Sequence, residues 1–172
     1  MTLSFETPRL VVLELEESLK PVEHTALIER IPEILIFDVV KDLPPYFQQI
    51  NTPQQATLWL SAMLEESHLL TVSTRQGQLI GFLFVAKSTQ PEAHIGYLLA
   101  KDYWGQGLAS ELLQGFIHTV SQQGHWQKLI GGVAKSNTAS IGLLEKLGFV
   151  ARPSKQEDSL FFELVIPPKY SR

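Results

Sequence analysis

Cysteine is absent from the 172 residues of this chain, which excludes a disulfide framework and catalysis by a cysteine thiol. Long apolar runs are absent as well, since none approaches the roughly 20 residues that cross a bilayer. The N-terminus lacks the basic and apolar segments of a secretory signal. These absences lead us to expect a cytoplasmic protein without a membrane partner.

Positive charge is also scarce. The chain has 14 Lys and Arg against 18 Asp and Glu, a net charge of −4, and its basic residues are scattered. Binding to nucleic acid depends on clustered Lys and Arg that neutralise phosphates, so no nucleic-acid partner is expected. The spacing of His24, His68, His118 and His125 matches no metal-ligand pattern, and no metal is expected.

The remaining composition is ordinary for a globular protein, with 44% hydrophobic and 19% charged residues. Neither a repeat nor a low-complexity linker divides the chain. A length of 172 residues is enough to bury one substantial core. We therefore expect a single domain over residues 1–172.

Hydrophobic periodicity predicts a mixed α/β fold. Alternating apolar residues predict about seven strands, over residues 9–15, 69–75, 79–86, 94–100, 129–134, 149–150 and 159–166. Helical spacing and cap residues predict helices over residues 18–29, 52–66, 107–122 and 138–147. The strand, helix and strand between residues 94 and 134 favour parallel pairing of the two strands, because the connection is long enough for a crossover.

The turn Gly105-Gln106-Gly107 is the most informative motif. Its two glycines permit a tight turn, and the helix that follows has N-terminal amides without internal partners, so the turn can bind an anion. A phosphate-binding P-loop needs Lys and Ser or Thr after the last glycine, where this chain has Leu108 and Ala109. A dinucleotide-binding turn needs an acidic residue about 20 positions further on, which is missing. A helix that merely follows two glycines is the remaining alternative.

The segments on either side decide between these alternatives. Residues 93–100 form an apolar, strand-like stretch, and residues 137–149 read Asn-Thr-Ala-Ser-Ile-Gly-Leu-Leu-Glu-Lys-Leu-Gly-Phe. In this order the segments resemble the GNAT acetyltransferase superfamily. The turn resembles its pyrophosphate loop, Gln/Arg-x-x-Gly-x-Gly/Ala, with Trp104, Gly107 and Ala109 in the first, fourth and sixth places. The segment Thr-Pro-Arg-Leu at residues 7–10 narrows the resemblance to the ribosomal-protein N-terminal alanine and serine acetyltransferases.

This resemblance implies a GNAT-like fold and an N-acetyltransferase that moves the acetyl group of acetyl-CoA to a primary amine by direct attack. The acceptor would be a protein N-terminal α-amine or a small-molecule amine, and the enzyme a monomer or homodimer. The strands at residues 95–99 and 129–133 would part at their ends, so that unpaired backbone groups bind the pantetheine arm and an amide near Leu98 stabilises the oxyanion. The implied cofactor-binding residues are Tyr97, Leu98, Leu99, Trp104, Gly105, Gln106, Gly107, Leu108, Ala109, Ser110, Asn137 and Ser140.

The candidates for proton transfer are His94, Glu92 and Ser140. Many relatives carry an acid where this chain has His94, and a histidine there could serve as the base, with Glu92 as the second candidate. Ser140 matches the family's Ser and is the candidate acid, because Leu144 occupies the place of the usual Tyr. The alternatives are structural roles for His94 and Ser140, with Tyr97 or solvent as the proton donor.

Two other functions stay open because the chain departs from the family pattern. The missing Tyr and the missing strand acid are compatible with a CoA-binding sensor or partner module that has little or no catalysis. A nucleotide-binding protein that uses the Gly105-Gly107 turn is the third alternative. Release of a free thiol from acetyl-CoA on addition of an amine separates the enzyme from both.

Overall fold

The structure is a computed structural model and describes residues 2–88, 91–155 and 157–167. The strands of this part of the chain are β1 (Phe5–Glu6), β2 (Leu10–Glu14), β3 (Ser67–Thr74), β4 (Leu79–Ala86), β5 (Glu92–Leu99), β6 (Lys128–Ala134), β7 (Val150–Arg152) and β8 (Ser159–Val165). Its helices are α1 (Thr25–Ile34), α2 (Phe37–Val40), α3 (Pro53–Glu66), α4 (Leu108–Gln123) and α5 (Thr138–Lys146).

One sheet of eight strands runs through the described residues in the order β1-β2-β3-β4-β5-β6-β8-β7. Neighbouring strands are antiparallel except β5 and β6, which are parallel because α4 crosses over between them. The predicted mixed α/β fold is therefore confirmed. The strand count was one too low, since the two residues of β1 are too few to show an alternating pattern.

The first helix lies further along the chain than predicted. Residues 21–23 form a turn of 3₁₀ helix, and α1 then continues through Pro32 to Ile34. A proline inside a helix removes a main-chain hydrogen bond, at a cost of roughly 3 kcal/mol. Burial of Ile28, Ile31 and Ile34 along one face of α1 offsets this cost, so tertiary packing decides the bounds of the helix.

The third helix begins where its cap residues predict. The Thr52 hydroxyl accepts a hydrogen bond from the main-chain N–H of Gln55 at 3.1 Å, and the Gln55 side chain accepts one from Thr52 in return, also at 3.1 Å. Pro53 occupies the first helical position, where its missing N–H costs nothing.

The core has one cluster on each face of the sheet. The first joins the sheet to α4 and α5 and includes Leu112, Phe116 and Leu144. The second joins the sheet to α1 and α3, and its centre is Trp59, whose ring lies 5.3 Å from that of Phe82. The two clusters fix both helix layers against the sheet, since each fully buried large side chain contributes about 1.5–3 kcal/mol.

The central strands β5 and β6 separate after four residue pairs. Residues 92–95 of β5 pair with residues 128–131 of β6, and pairing then stops. Beyond this point β5 continues beside β4, whereas β6 continues beside β8. The pairing of β4 with β5 keeps its register past Gly96, so the separation needs no bulge there. The expected gap between the two strands is present at their C-terminal ends.

Close approach of the backbones of β4 and β5 requires glycine at position 81. A Cβ at Gly81 would lie 2.2 Å from the main-chain oxygen of Leu98, which cannot move without breaking the sheet. We expect Gly81→Ala to lower the free energy of unfolding by about 3 kcal/mol, as measured by urea denaturation. Gly142→Ala is the control, because nothing lies within 4 Å of its added methyl group in α5. Equal stability of the Gly81→Ala variant and the unsubstituted protein would contradict this packing.

Candidate active site

A cleft of about 650 Å³ opens at the C-terminal ends of β5 and β6. Its walls come from the end of β5, the loop into α4, the first turns of α4 and α5, and α2 with the residues after it. All of the predicted cofactor-binding residues except Gln106 line this cleft. The structure thus brings together residues 97–99, 104–110 and 137–140, which the sequence places in three separate segments.

The loop into α4 turns through two glycines in the left-handed region. Gly105 has φ of 74° and Gly107 has φ of 78°, values that side chains other than glycine rarely adopt. Gly107 is the N-cap of α4, and no side chain of the described residues caps this helix end. The first amides of α4, at Leu108, Ala109 and Ser110, therefore present the positive end of the helix to the cleft.

A hydrogen bond from the Trp104 side chain connects this loop to the end of β5. Its indole Nε1 donates a hydrogen bond to the main-chain oxygen of Leu99 at 2.8 Å, while the ring stays 47% exposed along the cleft. In place of the polar first residue of the family's loop, the chain thus has an aromatic ring that is held at the cleft wall.

The amides of β5 that face the gap belong to Tyr97 and Leu99. The N–H of Ala100 donates to the oxygen of Ile80 at 2.7 Å, and this bond shows which residues of β5 direct their amides toward β4. Every second residue of β5 bonds to β4, so the amide of Leu98, opposite Phe82, points toward β4. The amide that was predicted near Leu98 as the oxyanion donor would therefore belong to Tyr97 or Leu99.

Three polar side chains meet at the start of α5. Asn137 is the N-cap of this helix, and its Oδ1 accepts a hydrogen bond from the main-chain N–H of Ser140 at 3.2 Å. The Tyr97 hydroxyl donates to Ser140 Oγ at 3.1 Å. Because Ser140 Oγ accepts this bond, its own hydrogen is available to a group in the cleft.

The Tyr97 phenol stays protonated at neutral pH. Burial raises the pKa of Tyr97, and the hydrogen bond to Ser140 opposes this effect without cancelling it. Leu144, at the place of the usual family Tyr, is 1% exposed in the core. From the sequence, Tyr97 was predicted to contact the cofactor and was only an alternative proton donor. Its hydrogen bond to Ser140 depends on how β5 and α5 pack, which residue spacing does not show.

His94 and Glu92 lie outside the lining of this cleft. His94 is exposed and alternates with Tyr97 along β5, so it projects from the opposite face of the sheet. Arg152 Nη1 donates to Glu92 Oε2 at 3.0 Å, and this hydrogen bond holds the pKa of Glu92 below its ordinary value. A carboxylate with a lowered pKa is a weak base, which disfavours Glu92 as the base.

The wall formed by α2 and the residues after it contains cleft residues that the sequence did not single out. Lys101 pairs with Asp38, and Ser136 donates to Asp42 Oδ1 at 3.1 Å, so both aspartates that line the cleft are bonded to residues that follow β5 and β6. Helix α2 has only four residues, too few for a periodic pattern. Among the described residues, no group of three or more His, Asp or Glu side chains could hold a metal ion.

The sequence profile of the acetyltransferase (GNAT) domain matches residues 32–150, more than half of the chain. The chain belongs to the GNAT acetyltransferase family, and it is therefore an acetyl-CoA-dependent acyltransferase. No curated protein sequence matches it at a significant level.

Solved structures of acetyltransferases share the fold. A GNAT acetyltransferase from Bacillus anthracis superposes with a TM-score of 0.76 at 17% identity, over 94% of this chain and 98% of that one. RimL, a ribosomal-protein α-N-acetyltransferase in complex with coenzyme A, gives a TM-score of 0.73 at 18% identity, over 93% of this chain and 96% of its own. The microcin C7 self-immunity acetyltransferase MccE, in complex with acetyl-CoA and AMP, gives 0.71 at 15% identity, over 92% and 93%.

None of the helices in the described part of the chain is both long and apolar enough to cross a membrane.

Proposed function

We propose that the cleft between β5 and β6 binds acetyl-CoA and that the enzyme transfers the acetyl group to a primary amine by direct attack. The observation that carries this proposal is that three features lie in one cleft: the separated ends of β5 and β6, the start of α4 without a side-chain cap, and the hydrogen-bonded pair of Tyr97 and Ser140. These correspond to a site for the pantetheine arm, a site for the pyrophosphate and a donor for the leaving thiolate.

Backbone geometry supports the donor half of the proposed site. The amides of residues 107–110 would hold the pyrophosphate at the positive end of α4, where a lysine is not required. The pantetheine arm would lie along β5 as an additional strand, and the amide of Tyr97 or Leu99 would bond the thioester oxygen. In other enzymes an oxyanion donor of this kind is worth about 3–4 kcal/mol. Asn137 Oδ1 caps α5, and its amide NH₂ group carries donors for the arm.

In the transfer step the neutral amine attacks the thioester carbon, and the C–N bond forms. The carbon–sulfur bond then breaks, and the electron pair leaves with the thiolate. Ser140 Oγ would give its proton to this sulfur and take a proton from Tyr97, to which it is already bonded, and solvent would then reprotonate Tyr97. The proton that the new amide nitrogen loses passes to the base.

We propose His94 as this base, acting through water. Four residue steps along the strand separate His94 from Leu98, a distance of about 13 Å, so the proton would pass along a chain of water molecules and not directly. His94→Gln should lower kcat by about 10-fold at pH 7. It should also flatten the rise of the rate with pH, because a glutamine side chain cannot act as a base. The measurement is a pH profile of kcat with one amine acceptor.

His118→Gln is the control for this substitution, since the His118 side chain is exposed on α4 and does not line the cleft. A pH profile of His94→Gln that superposes on that of the unsubstituted enzyme would remove His94 from the mechanism.

For the acceptor we propose a protein N-terminal α-amine ahead of a small-molecule amine. The support is the Thr-Pro-Arg-Leu segment at residues 7–10 together with the fold shared with RimL. A cytoplasmic location, a single domain and a monomeric or homodimeric state remain predictions.

The test is a thiol-release assay with acetyl-CoA and a panel of N-terminal peptides, amino acids and small amines, followed by mass spectrometry of the products. We expect thiol release that depends on an amine, with a mass increase of one acetyl group on the α-amine of at least one peptide. Acetyl-CoA binding without thiol release from any amine would instead support a CoA-binding module. Stabilisation by ATP or NAD but not by acetyl-CoA would support a nucleotide-binding protein.

A further inference from the structure

The turn between β1 and β2, residues 7–9, is bonded to the loop that leads into α4. Arg9 Nη1 donates to the main-chain oxygen of Gln106 at 2.8 Å, and Arg9 Nε donates to Glu111 Oε1 at 2.8 Å. The other oxygen of Glu111 accepts the main-chain N–H of Arg9 at 2.8 Å and the hydroxyl of Thr7. We call these four residues, Thr7, Arg9, Gln106 and Glu111, the Arg9 brace.

The Arg9 brace differs from an ordinary surface ion pair. The Glu111 side chain is only 17% exposed and accepts three hydrogen bonds. Burial alone would raise the pKa of Glu111, but the hydrogen bonds from Thr7 and Arg9 and the charge of Arg9 outweigh it and lower the pKa. Glu111 is therefore ionised at neutral pH, and both of its oxygens are held in place.

The bond from Arg9 to Gln106 fixes the direction of the next amide. In a planar trans peptide the C=O of one residue and the N–H of the following residue point in opposite directions. Since the oxygen of Gln106 points at Arg9, the N–H of Gly107 points away from Arg9. Gly107 lines the cleft, whereas Arg9 and Gln106 do not, so this N–H is directed to the cleft side of the loop.

Close packing fixes the helix to the same turn. One turn beyond Glu111, a Cβ on Gly115 would lie 2.6 Å from Phe5 Cε2 and 2.8 Å from Thr7 Cγ2. Helix α4 thus lies directly against residues 5–7, and neither the turn nor the helix can move alone. These N-terminal residues precede the stretch 32–150 that matches the family profile.

We propose that Arg9, held by Glu111, is a positioning residue that keeps the Gly107 N–H turned toward the pyrophosphate of acetyl-CoA. This inference rests on the proposed function, because it assumes that the pyrophosphate lies at residues 107–110. Arg9 acts through the loop and has no contact with the reacting atoms. The Thr-Pro-Arg-Leu segment thereby gains a role in donor binding.

The test compares two donors, acetyl-CoA and S-acetylpantetheine, which carries the thioester without the pyrophosphate. The variants are Arg9→Lys, which cannot bond both Gln106 and Glu111, and Glu111→Gln, which removes the charge but keeps the size. Each should raise KM for acetyl-CoA about 10-fold and leave kcat within about two-fold, since positioning acts on pyrophosphate binding alone. The kinetic constants with S-acetylpantetheine should not change.

Glu17→Gln is the matched control. It removes one carboxylate charge from an ion pair, between Glu17 and Lys87 at 2.5 Å, that shares no residue with the Arg9 brace, and it should leave both donors unaffected. An equal loss with both donors would show a general structural role and overturn the proposal. A loss in Arg9→Lys but not in Glu111→Gln would also overturn it, since Arg9 would then contact the phosphate directly. Failure of the unsubstituted enzyme to use either donor would refute the proposed function itself.

Discussion

Gly107→Glu is expected to weaken acetyl-CoA binding at least about 100-fold, as measured by isothermal titration calorimetry. Two effects add in this variant. A Cβ at position 107 would lie 3.5 Å from Arg9 Nη2, so the carboxylate would compete for Arg9 and would add negative charge beside the start of α4, where the proposed site needs the pyrophosphate to be the only anion. The φ of 78° at Gly107 also disfavours any side chain, by about 1–2 kcal/mol, so the loop would shift away from its present shape.

Gly77→Glu separates these two effects. Gly77 has a similar φ of 90°, nothing lies within 4 Å of its added Cβ, and it stands in the turn between β3 and β4, away from the cleft. This variant should lose a similar amount of stability and keep its affinity for acetyl-CoA. Equal affinity of Gly107→Glu and Gly77→Glu would show that the pyrophosphate does not bind at this loop.

The second large effect is expected in kcat. Ser140→Ala should lower kcat about 100-fold with an unchanged Kd for acetyl-CoA, because a general acid acts in the transition state.

Tyr97→Phe should lower kcat by a smaller factor, since it removes only the hydroxyl that donates a hydrogen bond to Ser140. Burial keeps the pKa of Tyr97 above its ordinary value, so the phenol is protonated below that value. Ionisation of Tyr97 should therefore cause no loss of rate up to about pH 9.

Ser121→Ala is the control for the loss of a helix hydroxyl. Ser121 Oγ donates to the main-chain oxygen of His118 at 2.7 Å on the exposed side of α4, and its removal should leave kcat unchanged. Unchanged kcat in both Ser140→Ala and Tyr97→Phe would mean that solvent protonates the thiolate and that this pair is structural.

Local sequence signals predicted the fold where they are strong. Thr52 and Pro53 marked the start of α3, and the order strand, helix, strand from β5 to β6 predicted the parallel pairing of these two strands. The prediction failed where tertiary packing decides. The helix predicted over residues 18–29 ends before Pro32, yet buried isoleucines carry α1 through this proline to Ile34. Strand β1 exists only because β2 provides its hydrogen-bond partners.

In the candidate site, too, local motifs were predicted from the sequence, whereas contacts between distant segments were not. Residues 104–110 were predicted from the sequence because two glycines before a helix carry a local geometric requirement, and all of them except Gln106 line the cleft. The bond between Tyr97 and Ser140 was not found, because 43 residues separate its partners along the chain. The Arg9 brace, which joins residues about 100 positions apart, was missed for the same reason, although its Thr-Pro-Arg-Leu segment was noticed.

The most direct measurement is a crystal structure of the protein with bound acetyl-CoA. We predict pyrophosphate oxygens within about 2.7–3.2 Å of the amide nitrogens of residues 107–110. The thioester oxygen should face the amide of Tyr97 or Leu99, and the sulfur should lie beside Ser140 Oγ. A cofactor whose pyrophosphate lies away from the start of α4, or a cleft left empty at saturating acetyl-CoA, would contradict the proposed site.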